Sequence, residues 1–401
     1  MISNNLFLKN NINSKKLKNF STKSLSKKFD KIFLEISKDL KDSKKTLNVL
    51  NNKLKLNVNI NKFQKYKKIA IIGMGGSILG SEAIYNFFKN KIKKKVYFLN
   101  DIDENKISDL KKKENLSKVL FIIISKSGNT IETLSNTFSL NILKKNSKNI
   151  IIISEKKNNL LFSISKKFNL FFVEHNNYIG GRYSVLSEVG MVPAYLMGLN
   201  ISKIRSNIQN CLKLKNKFFL KESTTKIANL IKSKKFSSMI FLNYCPELEK
   251  LLFWCQQLIA ESLGKENKGL LPTISNVPKD HHSLLQLYLD GPKDKFFNIF
   301  SFKNISKEKI NTDKIKIKSF LNKKNLSTIK NAQKNSLIKA FEKKNIPFRE
   351  FRIKSIKEEV IGEFFALFIV ETIIIGKLLN INPFDQPAVE QVKIYTKKLL
   401  S

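Results

Sequence analysis

From Lys68 onward the chain alternates between short unbroken apolar runs and longer stretches whose apolar residues recur every three or four positions. The runs are Ile69–Ile72, Val96–Leu99, Val119–Ile124, Ile150–Ile153 and Leu170–Val173. Apolar runs without polar alternation are what parallel strands covered on both faces require. The periodic stretches between them are long enough for crossover helices, so the pattern predicts a doubly wound α/β sheet. A second set follows, with strands predicted at Ser238–Leu242, Phe296–Phe300 and Pro347–Ile353 and helices over 203–233, 247–263, 327–344 and 357–379. Ahead of both sets, Phe29, Ile32, Phe33, Ile36 and Leu40 form one helical stripe. The Lys-rich, weakly patterned segment 304–326 reads as a surface excursion.

The organisation expected is a helical N-terminal arm (1–66), a first α/β domain (67–200), a second (201–383) and a C-terminal helix (384–401). A length of 401 residues suits two domains better than one core. With 42% hydrophobic residues the chain can bury both, which excludes a disordered protein.

Composition adds one strong feature, a formal charge of +42. Nearly all of it is Lys; Arg stands only at 182, 205, 349 and 352. Bidentate readers of phosphate and bases lean on Arg, so the charge reads as solvated surface rather than a nucleic-acid interface. A positive field would still gather a small anionic substrate. Cys211, Cys245 and Cys255 are odd in number and lack metal-type spacing. His175, His281 and His282 leave little from which to build a metal centre, and no metal or cofactor is expected. Met1–Asn19 has no apolar targeting core. The longest apolar stretch, Phe364–Ile375, is broken by Glu371 and falls short of the ~20 residues a membrane span needs. A cytoplasmic protein with no membrane partner is the expectation.

Six segments carry candidate chemistry. Gly73-Met-Gly-Gly-Ser-Ile-Leu-Gly80 follows a strand and opens a helix, so its backbone can approach an anion closely. It is not a dinucleotide fingerprint, because Ile78 stands where a third glycine belongs. Ser125-Lys-Ser-Gly-Asn-Thr130 also follows a buried strand; its hydroxyls suit a metal-free phosphate cradle or, more plainly, a helix cap. Gly180-Gly-Arg-Tyr-Ser presents Arg182 behind two glycines, able to steady an oxyanion or to form a structural ion pair. Gln257-Leu-Ile-Ala-Glu-Ser-Leu-Gly264 places Glu261 at the C-terminal end of a helix. The macrodipole disfavours an anion there, which suits a general base as well as a merely solvated carboxylate. Asp280-His-His-Ser-Leu-Leu-Gln286 offers a histidine at a helix start, for proton transfer or as a cap. Phe384-Asp-Gln-Pro-Ala-Val-Glu-Gln-Val-Lys393 enters the last helix.

In this order the six segments resemble the glucose-6-phosphate isomerase family over roughly residues 68–398. The resemblance implies two sugar-isomerase (SIS) type doubly wound parallel-sheet domains, a homodimer, and interconversion of glucose 6-phosphate and fructose 6-phosphate through a cis-enediol. It assigns Ser125, Lys126, Ser127 and Thr130 to the substrate phosphate, with Gly76 and Ser77 close by. Glu261 becomes the base and Arg182 the stabiliser of the enediol. Gln257 and Gln386 become substrate contacts. His282, chosen over His281 because Gln286 lies four residues on, would assist ring opening from the partner subunit together with Lys393. The sequence departs from the family at Ala388 and Val392, where glycine is common. Rival expectations are an enzyme that also isomerises mannose 6-phosphate, a non-catalytic sugar-phosphate sensor on the same fold, and a nucleic-acid binder suggested by charge alone.

Overall fold

The computed structural model of the protein describes residues 6–12, 22–51, 54–303 and 308–400. Its strands in chain order are β1 (Leu6–Asn11), β2 (Lys68–Ile72), β3 (Lys95–Leu99), β4 (Val119–Ile124), β5 (Ile150–Ser154), β6 (Phe171–Glu174), β7 (Ser238–Asn243), β8 (Leu271–Asn276), β9 (Lys295–Phe302) and β10 (Phe348–Ile353). One sheet has the order β3-β2-β4-β5-β6, all parallel, with Ile71 opposite Phe98 on one side and Ile122 on the other. The other has the order β1-β10-β9-β7-β8, parallel except for β1. The expected pair of doubly wound sheets is therefore present. Every residue of β4 and β5 is buried, which is why those strands are unbroken apolar runs.

Three departures from the sequence pattern have local causes. The N-terminal segment expected to be helical carries β1 as well as the helix Thr22–Asp39; β1 pairs antiparallel with β10, Leu8 opposite Phe351. β8 (Leu-Pro-Thr-Ile-Ser-Asn) lacks an apolar run because it is an edge strand, where polar residues and a proline are tolerated. The single helix expected over 203–233 is two, Ile201–Ser206 and Leu214–Lys232. The break is fixed from outside. Buried Arg205 donates to carbonyls of Leu186, Val49 and Asn51, and Asn216 Nδ2 bonds the Asn210 carbonyl at 2.7 Å.

The helix Glu358–Leu378 is buried on nearly every side and packs against helices 22–39, 201–206, 214–232 and 249–263. An all-round apolar helix belongs in such a position. Its Glu371 is buried opposite Arg349, whose Nε donates to Asn298 Oδ1 at 2.8 Å and whose Nη1 bonds Ser223 Oγ at 2.7 Å. Pairing is what makes two charges tolerable there; removing one partner of such a pair typically costs ~3–5 kcal/mol. Among the described residues no helix is long and apolar enough to cross a membrane.

Candidate active site

In the first sheet the connection after β2 runs to β3 on one side, whereas the connection after β4 runs to β5 on the other. A crevice opens at the carboxyl ends of strands where that happens, and ligands settle there. The two segments after β2 and β4 are Gly73–Ser77 and Ser125–Thr130, the glycine-rich and hydroxyl-rich motifs. They lie side by side: a methyl group placed on Gly73 would be 3.0 Å from the Ile124 carbonyl. In the second turn, Ser125 Oγ is 2.8 Å from Thr130 Oγ1, and Ser127 Oγ is 3.4 Å from it. Three hydroxyls thus converge on one small loop.

The first turn reaches the remaining groups. Gly76 packs directly on the Gly181–Arg182 backbone; a Cβ there would lie 2.3 Å from the Gly181 carbonyl, so no other residue fits. A Cβ on Gly75 would lie 2.6 Å from Gln257 Nε2. Gln257 in turn donates to Glu261 Oε1 at 2.8 Å, one helical turn on. Gln257 Oε1 is buried and, among the described residues, accepts no hydrogen bond.

Glu261 closes the helix Glu249–Leu263, and its side chain remains 29% exposed. Its Oε2 meets Arg182 Nη1 at 3.3 Å; the same nitrogen lies 3.4 Å from Gln386 Oε1. The rest of the Arg182 guanidinium is locked. Nε donates to Ser262 Oγ at 2.8 Å, and Nη2 to the carbonyls of Pro383 and Asp385 at 2.6 and 3.0 Å. Tyr183 OH bonds Ser262 Oγ and the Pro383 carbonyl. Lys265 Nζ binds the Asp385 carboxylate at 2.5 Å and the Asn382 carbonyl, tying segment 382–386 to the end of the helix. Arg182, Glu261, Gln257 and Gln386 come together, with Gly76 beside them.

Other expected residues are placed differently. Lys126 lies in the hydroxyl-lined turn, but its ammonium donates to the Asn177 carbonyl at 2.8 Å and sits 3.6 Å from Glu155. Burial draws its pKa below the ordinary value, against the opposing pull of Glu155. His281 is half-buried and bonded to Tyr244 OH at 3.0 Å, whereas His282 is exposed on the helix His281–Asp290. Lys393 stands on the exposed helix Pro387–Leu400, paired with Glu390 at 2.7 Å. Among the described residues neither His282 nor Lys393 bonds the Arg182–Glu261 cluster. Ser262, Tyr183 and Asp385 join the cluster without a role in the sequence motifs. Ser262 and Lys265 flank Glu261 within its motif, which was the available signal; the carbonyls of Pro383 and Asp385 had none, since a backbone acceptor leaves no mark on side-chain chemistry.

Two doubly wound sheets, one all-parallel and one parallel but for β1, with loops gathered at the switch point of the first, define an SIS-type phosphosugar-isomerase fold. Solved structures share it. A glucose-6-phosphate isomerase from Chlamydia trachomatis superposes with a TM-score of 0.80 at 16% identity, covering 99% of this chain and 88% of that one. A hypothetical protein from Thermus thermophilus superposes with a TM-score of 0.81 at 21% identity, covering 98% and 100%. In sequence, residues 35–270 match the model of the phosphoglucose isomerase family. The glucose-6-phosphate isomerase of Methanocaldococcus jannaschii is 33% identical over 84% of this chain and 85% of its own length. A probable glucose-6-phosphate isomerase of Methanococcus maripaludis is 31% identical over 97% and 89%. The chain belongs to the phosphoglucose isomerase family.

Proposed function

We propose that this chain interconverts glucose 6-phosphate and fructose 6-phosphate, with Glu261 as the single base. The observation that carries the reading is the contact path from the hydroxyl-lined turn through Gly75 and Gln257 to a partly exposed carboxylate held by Arg182. A base is useful only when the substrate is gripped so that the proton lies within its reach.

In this reading Ser125, Ser127 and Thr130 hold the phosphate, with Ser77 nearby, and the sugar lies along Gln257 towards Glu261. Glu261 removes the C2 proton of the open-chain aldose; the C–H electrons form the C1–C2 double bond and charge collects on O1. A proton passes from O2 to O1, Glu261 returns its proton to C1, and O2 becomes the ketone oxygen. The Arg182 Nη1 shared by Glu261 and Gln386 faces the developing charge, a placement that lowers the barrier by electrostatic stabilisation. Buried Gln257 Oε1, with its acceptor capacity unfilled, suits a sugar hydroxyl.

The proton-transfer set is complete within one chain; the ring-opening set is not. His282 and Lys393 are exposed, which supports a homodimer in which the partner subunit's His282 completes the crevice. A place in glycolysis and gluconeogenesis, in the cytoplasm, belongs to the same reading. The test is a coupled assay of glucose 6-phosphate formed from fructose 6-phosphate, with mannose 6-phosphate as control. Turnover of the first and not the second supports the reading; turnover of neither overturns it.

A further inference from the structure

At any helix start the first backbone N–H groups lack an intrahelical acceptor. In the helix Leu160–Lys167 each of the first three finds a partner, and two of those partners belong to the hydroxyl-lined turn. Phe162 N donates to the capping side chain of Asn159 at 2.9 Å. Leu160 N donates to Asn129 Oδ1 at 2.9 Å, and Leu161 N to the Gly128 carbonyl at 3.1 Å. The turn is thus docked onto a helix N-terminus that contributes no residue to the six motifs.

Asn159 is the hinge of that docking. It is 4% exposed; its Nδ2 donates to the Glu155 carbonyl at 2.9 Å, and its Oδ1 also accepts from Ser154 Oγ at 3.4 Å. Glu155 N donates to the Lys126 carbonyl at 3.2 Å, so both ends of the 154–159 segment grip the turn. Gly128 lies flat on the Asn159 amide, with φ at +68°, and a Cβ at that position would be 1.8 Å from Asn159 Oδ1. The same segment's Glu155 carboxylate restrains the Lys126 ammonium.

We propose that Asn159 is a positioning residue for the substrate phosphate: it sets the seat on which the 125–130 turn rests, and hence the spacing of the Ser125, Ser127 and Thr130 hydroxyls. This deepens the proposed function and rests on its assignment of that turn to the phosphate. Asn159 bonds the turn's supports rather than the sugar, so its loss weakens the grip on the ester and leaves proton transfer at Glu261 intact.

The experiment measures fructose 6-phosphate isomerisation and competitive inhibition by inorganic phosphate for the full chain, Asn159→Ala and Gly128→Ala, with thermal unfolding as the check on folding. For Asn159→Ala, KM and the inhibition constant for inorganic phosphate should rise together by ~10-fold, with kcat within about threefold. A merely structural role would not produce that split. Gly128→Ala, whose Cβ would press on Asn159 Oδ1 from the side of the turn, should show the same split, and it carries the test if Asn159→Ala does not fold. Folded variants with both constants within about twofold of wild type, or a loss confined to kcat, overturn the proposal. Wild-type isomerisation with phosphate inhibition unmoved by Thr130→Ala overturns the phosphate assignment itself and takes the role of Asn159 down with it.

Discussion

Both sheets run in the same local strand order, β3-β2-β4-β5 in one and β8-β7-β9-β10 in the other, so each has a switch point beside its first strand. The segments at the first one are short and rich in glycine and hydroxyls. In the second sheet the polar groups at the ends of β7 and β8, beside its switch point between β7 and β9, bond each other. Asn243 accepts from Cys245 N at 3.0 Å and donates to Asn276 Oδ1 at 3.1 Å; Asn276 donates to Glu249 at 2.7 Å and, through its backbone, to Asp280 at 2.8 Å. That edge is a closed network. The second half contributes instead through the far end of the helix Glu249–Leu263, which carries Glu261 to the first half's crevice. Similar topology therefore carries different side-chain chemistry at the strand ends: glycines and hydroxyls after β2 and β4, mutually bonded amides and carboxylates after β7 and β8.

The severest challenge to this division is Glu261→Gln. It should lower kcat by ~10²–10⁴-fold while sugar-phosphate affinity stays within a few-fold, as expected for loss of a positioned base. Turnover near wild type would mean that the second half's contribution lies elsewhere. Next come paired substitutions at the two edges. Ser127→Ala with Thr130→Ala should raise KM by ~10-fold or more, whereas Asn243→Ala should leave KM and kcat within about twofold and cost ~1–3 kcal/mol of stability. Equal kinetic effects at both edges would erase the contrast.

His282→Ala sharpens the comparison from outside the crevice. An exposed residue should leave Tm unchanged, while turnover from the cyclic sugar falls by ~10-fold or more if it acts in proton transfer during ring opening. Mixing this variant with Glu261→Gln should restore part of the activity if each crevice draws residues from both subunits; no recovery, with subunit exchange demonstrated, would argue for intrachain assembly.

The smallest effect concerns His175, 2% exposed at the end of β6. Burial, reinforced by the Lys126 charge, lowers its pKa from 6.5 to about 3. The unfolded chain therefore binds this proton more readily than the folded one. The stability associated with neutral His175 is complete above pH 6.5 and is lost as pH falls from 6.5 towards 3, by up to about 1.4 kcal/mol per pH unit. His175→Gln should flatten Tm against pH between 6.5 and about 5, by a few degrees. An unchanged slope would show that the histidine is solvated.

Sequence alone determined the continuous apolar strands of the first sheet, the helices around 247–263 and 357–379, and the order of six motifs, because burial on both faces and helical periodicity are written in local residue choice. It could not show β1 or β8, whose edge positions relax that choice, or the break at 207–213, which Arg205 imposes from distant carbonyls. The motif around Glu261 marked it through the family resemblance, but its residue type and helix-end position alone did not set it apart. What the tertiary structure adds is the meeting of Arg182 with Glu261 and Gln386 from segments far apart in the chain. The tertiary fold also directed the Lys126 ammonium to Glu155 and set Asn159 beneath the turn. Hydrogen bonds to backbone carbonyls and the absence of a Cβ at a contact depend on where two segments meet, and residue type encodes that only after the chain has folded.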